Sequence, residues 1–206
     1  MFTDKRSRRE MLTMTAALAI SSLVLPGAAS AGRRTANTTT LTDDETNDLI
    51  FIREEEKLAR DVYLTLYGIW ETPVFANIAT SEQQHMDAIL GLLNTYKIPD
   101  PTAGKLVGEF VNGELQNLYD ELVAKGAQSA LDALMVGGII EETDIEDIQS
   151  AMEATTVSNI DRVYSNLLNG SYNHLRAFAS NITAITGQPY VAQVVSQDVV
   201  DAILGN

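Results

Sequence analysis

The sequence predicts an all-α fold: four long amphipathic helices gathered into a bundle, with a long crossover between the second and third and extra short helices. Three observations carry this prediction. Apolar residues recur at spacings of three and four through four long stretches, the signature of one buried helix face. No run keeps the strict alternation of a strand. The span between the second and third stretches, roughly residues 97–127, is too long for a tight antiparallel turn and suits a connection running along the bundle.

The first helix follows an acidic cap region at Asp43 and reads "ETNDLIFIREEEKLARDVYLTLYGIW". Leu49, Ile52, Glu56, Ala59, Tyr63 and Leu66 share one face, and Gly68 marks a stop near the end. The second helix begins after Pro73 and reaches about Tyr96, with Phe75, Ile78, Glu82, His85, Ile89 and Leu92 in line. "KIPDPTAG" then breaks the chain, and "ELQNLYDELVAKGA" (114–127) reads as a short amphipathic helix stopped by Gly126. The third long helix, roughly 128–153, aligns Leu131, Leu134, Gly138, Glu141, Ile145 and Ile148. The fourth, roughly 157–186, aligns Ile160, Tyr164, Leu167, Ser171, His174, Phe178 and Ile185. The tail "QPYVAQVVSQDVVDAILG" ends in one more short helix packed on the bundle.

The segment before the helices has a different character. "SRREML" at 7–12, the apolar run "LTMTAALAISSLVLP" and the small residues "ASA" at 29–31 form a charged region, an apolar region and a cleavage signal. The Arg8–Arg9 pair resembles a twin-arginine export motif, so residues 1–31 are expected to be a signal peptide and the mature protein to be secreted. The apolar run is short for a membrane span. Residues 32–42, including "TANTTT", read as a polar linker, and the domain proper as 43–206.

Composition narrows the chemistry. The chain of 206 residues is 45% hydrophobic, enough for one domain with a real core. It contains no cysteine, which excludes disulfides, thiolate nucleophiles, Cys-ligated zinc and iron–sulfur clusters. Removing residues 1–31 takes away Asp4, Glu10, Lys5, Arg6, Arg8 and Arg9, leaving 26 acids against 10 bases and a net charge of −16. So negative a surface argues against nucleic acid and anionic membrane as partners, and it suits solubility in high salt.

Each long stretch interrupts its apolar stripe near mid-length: Glu56 on the first, Glu82 and His85 on the second, Glu141 on the third, His174 on the fourth. In an antiparallel bundle, mid-helix positions meet at one depth. Unpaired, three carboxylates and two imidazoles there would destabilise the core severely through desolvation and like-charge repulsion. A bound ion removes the conflict, and carboxylate–imidazole sets suit iron or manganese. Each residue also has a blander role open to it. Glu82 and His85 could form a surface pair, His174 a core hydrogen bond, and Glu141 a solvated face. In the run Glu54–Glu55–Glu56 only one is expected to point fully inward, and Glu56 fits the stripe best. Tyr63 reads as a packing residue or a redox tyrosine.

"EKLARDVY" (56–63) and "EQQH" (82–85) resemble the first-helix and second-helix motifs of ferritin-like di-iron carboxylate proteins, nearest the rubrerythrin branch. Together with "PVFANIATSEQQHMDAI", "IEETDIEDI" and "GSYNHLRAF", they also resemble a bacterial and archaeal ferritin-like family of unknown function over about residues 45–190. The resemblance implies a ferritin-like bundle holding two iron ions, with manganese as the alternative, and O2 or peroxide as reaction partner. It implies Glu56 as first-helix ligand, Glu82 as a bridging carboxylate and His85 and His174 as imidazole ligands. On the third helix it favours Glu141 over Glu142, because Asp144 then follows at i+3 as a paired carboxylate. Ser171 departs from the pattern, standing where a second Glu-x-x-His would have its glutamate; Asp144 or Glu142 would have to substitute. Three functions follow from this reading. One is a ferroxidase or peroxidase, the second a binding or sequestering protein without turnover, the third a structural cell-surface bundle without metal. Assembly into an oligomer is open.

Overall fold

The computed structural model describes residues 40–205. The expected export signal at 1–31 and the expected linker up to residue 39 lie outside the described residues. Within them the protein is all-helical, without a strand. The helices are α1 (Asp43–Trp70), α2 (Pro73–Tyr96), α3 (Gly113–Gly126), α4 (Ala130–Ala154), α5 (Ser158–Thr186) and α6 (Gln197–Leu204). None of the described helices is long and apolar enough to cross a membrane.

Local chemistry explains where each helix begins and ends. Thr42 and Glu45 form a capping box at α1: the Glu45 amide donates to Thr42 Oγ1 at 3.1 Å and the Thr42 amide to Glu45 Oε2 at 2.9 Å. Gly68 does not stop α1; the helix runs on to Trp70 and ends at Glu71 in the left-handed conformation, φ 52°. α2 starts with Pro73, whose missing amide hydrogen costs nothing in the first turn. Ser129 caps α4, so that helix begins one turn's fraction later than the periodicity suggests. α3 runs to Gly126, where α1 packs so closely that a Cβ would come within 2.7 Å of Leu66 Cδ2.

α1 packs along α2 and α4 along α5; α1 also meets α4, and α2 meets α5. The apolar interior comes as two clusters. The larger holds Leu58, Tyr63, Phe75, Leu134, Leu175 and Phe178, and the smaller Leu49, Ile52, Ile89, Ile148, Ile160 and Tyr164. Along each long helix the polar positions fall where the chain passes from one cluster to the other. α1 and α5 reach that polar layer from the smaller cluster, α2 and α4 from the larger. α2 and α4 therefore run in the same sense, and the chain between them has to return the length of the molecule. It does so through residues 97–112 and α3, which packs on α1 and α4.

The returning segment is held by charged groups of α1. Arg53 makes a paired contact with Asp100 at 3.1 and 3.0 Å. Glu54 accepts the amides of Val111 at 2.6 Å and Asn112 at 3.2 Å. Lys57 bonds to Asp61, donates to the Leu106 carbonyl at 2.7 Å and lies over the Phe110 ring. Asp61 in turn accepts the Gly108 amide at 2.9 Å. α1 is thus covered on nearly every side. At the far end, α5 departs from expectation: Ile185 is 58% exposed and Ile182 is the buried residue. Residues 183–189 are exposed all round, so the last turn projects past its neighbours.

Candidate metal centre

The polar layer is built from α1, α2, α4 and α5. Glu56, Glu82 and Glu141 are essentially without solvent exposure, and His85 and His174 nearly so. His85 Nδ1 lies 2.8 Å from Glu82 Oε2 and 3.1 Å from Glu56 Oε2. His174 Nδ1 lies 2.8 Å from Glu82 Oε1 and 3.3 Å from Glu141 Oε2. The two rings are stacked with centroids 5.4 Å apart. Glu56, Glu82 and His85 bring one atom each within 4.8 Å of one another, and so do Glu82, Glu141 and His174. Glu82 belongs to both groups, offering one oxygen to each imidazole.

These contacts do not satisfy the atoms that make them. Glu56 Oε1, Glu82 Oε2, Glu141 Oε2 and His174 Nδ1 have no hydrogen-bond partner, although all are buried. Only the approach of His85 Nδ1 to Glu56 Oε2 is aligned as a hydrogen bond; in the other three the atoms converge on common points rather than aim at each other. Ligand atoms about 2.1 Å from one ion and at right angles sit about 3.0 Å apart. The observed 2.8–3.3 Å spacings match that edge length. The donor set, two carboxylates and an imidazole at each point, is the kind that takes iron or manganese.

Groups behind the donors hold them in place. Tyr63, fully buried against Phe75 and Phe178, donates its hydroxyl to Glu141 Oε1 at 2.5 Å. Ser81 Oγ meets His174 Nε2 at 2.9 Å, which leaves Nδ1 as the free face of that ring. Gly170 makes room for His85: a Cβ there would stand 2.4 Å from its Nε2.

Burial and mutual repulsion set the protonation of the metal-free cluster. Burial drives the Glu56 carboxyl well upward, helped by Asp144, and Glu141 is raised by burial and by Glu82. Burial alone would also raise Glu82, but the two imidazoles beside it bring it down to about 2. Burial would lower both histidines; instead Glu56 and Glu82 lift His85 to about 11, and Glu141 and Glu82 lift His174 to about 10. Without an ion the layer therefore retains protons in the positions a cation would neutralise.

On α4 the two adjacent glutamates turn different ways. Glu141 faces the cluster, whereas Glu142 turns to the tail. Glu142 accepts the Tyr190 hydroxyl at 2.6 Å and the amides of Gln193, Val194 and Val195 at 2.9, 2.6 and 3.0 Å. Asp144 lies beside the cluster, outside both converging groups, with Oδ2 accepting the Ser171 hydroxyl at 2.5 Å and Oδ1 unpartnered. Burial and then Glu141 and Glu82 raise it to about 8.

One expectation for α1 is corrected. All three of Glu54, Glu55 and Glu56 are buried, because the returning segment and α4 cover the faces that a free helix would expose to water. Glu55, 6% exposed, is within hydrogen-bonding reach of Asp147 and keeps Oε2 unpartnered. Glu55, Ser81 and Gly170 were not legible as parts of the site. Their only sequence signal is adjacency: each sits one residue before Glu56, Glu82 or Ser171.

Comparison with known proteins places this architecture among relatives. The uncharacterized protein MJ0754 of Methanocaldococcus jannaschii is 45% identical over 166 residues, spanning 81% of this chain and 89% of that one. The crystal structure of that hypothetical protein superimposes with a TM-score of 0.78 at 43% identity, covering 86% of this chain and 98% of that one. The family model described as "Uncharacterized protein domain (DUF2202)" matches residues 45–206, and the chain belongs to that family.

Proposed function

We propose that this is an exported, ferritin-like helical bundle whose core binds two redox-active metal ions, iron or manganese, and passes electrons from them to O2 or peroxide. The observation that carries the reading is the pair of carboxylate–imidazole triads sharing Glu82, with buried, unpartnered oxygen and nitrogen atoms turned toward common points. The order in which the helices cross the polar layer supports the ferritin-like arrangement, since α2 and α4 run in the same sense and require the crossover.

Glu56 and His85 would serve one ion, Glu141 and His174 the other, and Glu82 both. Asp144, on α4 and steadied by Ser171, would supply a second carboxylate where α5 lacks one. Iron held there would supply one electron per ferrous ion, which with two protons matches the reduction of one peroxide to two waters. The protein's own part is to fix the donors on rigid helices and to keep bulk water from the layer. Tyr63 orients Glu141, and Ser81 orients His174.

Metal analysis of the exported protein, followed by Fe(II) oxidation and peroxide consumption, tests this. Two iron or manganese per chain and turnover above that of free metal are expected. Two ions without turnover would leave a binding or sequestering protein, and no metal a structural bundle.

A further inference from the structure

We infer that the two ion positions are unequal: the Glu82–Glu141–His174 position is fixed, and the Glu56–Glu82–His85 position exchanges its divalent cation with solution, taking that cation as substrate. The inference rests on the two-ion reading above and assigns different work to its two halves.

The difference lies behind the donors. At the first position both private ligands are braced by protein. Tyr63 holds Glu141 Oε1 at 2.5 Å and is itself wedged between Phe75 and Phe178, while Ser81 holds His174 Nε2 at 2.9 Å. At the second position neither is braced among the described residues. Glu56 Oε1 has no partner, and its other oxygen meets only His85. The Nε2 edge of His85 faces Gly170, where a Cβ would stand 2.4 Å away, and no side chain of that residue backs it. Partners behind a metal-binding imidazole or carboxylate are worth about 10–100-fold in affinity. The braced position is therefore the tighter one.

Access points the same way. Asp147 is half-exposed on α4 and reaches buried Glu55, whose Oε2 is unpartnered. Glu55 in turn lies within electrostatic reach of Asp144 and Glu56. A cation arriving along these carboxylates meets Glu56 before it meets Glu141. The Tyr63 side is instead packed with the rings of Phe75 and Phe178.

The test is titration of the metal-free, full-length protein with Co(II), read by calorimetry and visible absorption. Two ions per chain are expected in two steps. Charge repulsion across Glu82 would separate the steps even for equal positions, so variants decide the assignment. Ser81→Ala and Tyr63→Phe should each weaken the first step about 10-fold or more and leave the second nearly unchanged. Gly170→Ala, by displacing His85, should weaken the second step alone. Glu55→Gln should slow loading of the second ion several-fold without moving its midpoint. Variants that act on the opposite step, or on both equally, or an unchanged loading rate in Glu55→Gln, overturn the inference while two-ion binding stands. Fewer than two Co(II) per chain in the unmodified protein overturns the underlying reading instead.

Discussion

The Ser171 hydroxyl donates to Asp144 Oδ2 at 2.5 Å across the α4–α5 contact, leaving Asp144 Oδ1 buried and unpartnered. A serine on α5 thus brings in a carboxylate from α4. The short side chain vacates the volume a glutamate would fill, and its hydroxyl fixes the rotamer of the aspartate that uses it. If Asp144 completes the centre, Asp144→Asn keeps the shape and removes the charge. Metal content measured by elemental analysis should then fall toward one ion per chain. The metal-free form should melt higher at neutral pH, because folding no longer has to place a proton on a buried carboxyl raised to about 8. Full two-ion loading in this variant would mean that Glu82 alone joins the two positions.

Glu82 contacts both imidazoles, so its loss removes a ligand from each group at once. Glu82→Ala should abolish binding of both ions rather than one. The unmodified protein, at a free metal concentration about 100-fold above Kd, gains about 2.7 kcal/mol from binding. That increment should be absent in the variant, and a chelator should lower the melting temperature of the unmodified chain only. Retention of a full metal complement would remove Glu82 from the centre.

Periodicity made the four long helices legible because a 3.6-residue repeat reports which face is buried, and Glu56, Glu82, His85, Glu141 and His174 interrupted that face at one depth. The same logic misjudged Glu54 and Glu55. A single-helix pattern distinguishes one buried stripe from one wet side, and α1 has no wet side at that level. What covers it is a segment some fifty residues onward, recruited by the Glu54 carboxylate itself. Glu142 was ambiguous for a similar reason: its partners, Tyr190 and residues 193–195, lie far along the chain and carry no repeat. Ile185 kept the period but outran the neighbouring helices.

Glu142→Ala separates a structural carboxylate from the one beside it that faces the polar cluster. It strips four donors of their acceptor, a loss on the order of 3 kcal/mol or more. Amide exchange at residues 193–195 should accelerate while metal content per folded chain stays constant. Glu141→Ala should do the reverse, losing metal with little effect on those amides. If Glu142→Ala releases metal from protein that is still folded, the tail segment supports the centre more directly than its contacts imply.

The protonation pattern gives the metal-free and metal-loaded forms opposite responses to pH. In the metal-free protein Asp144 is raised from 3.8 to about 8, His85 from 6.5 to about 11 and His174 from 6.5 to about 10. Each group binds its proton more tightly folded than unfolded. Its stabilising effect is complete below the unfolded value and is lost as pH rises through the folded one. Glu82 acts in the other direction, but only between its folded value of about 2 and its ordinary 4.5. The metal-free protein should therefore be most stable at about pH 4 and lose melting temperature steadily toward pH 9. Metal binding requires these same donors deprotonated, so affinity rises over that range and the loaded protein should gain stability relative to the stripped one. Melting curves from pH 5 to 9, with and without chelator, should diverge as pH rises; parallel curves would mean that the protons and the metal do not compete for the same atoms.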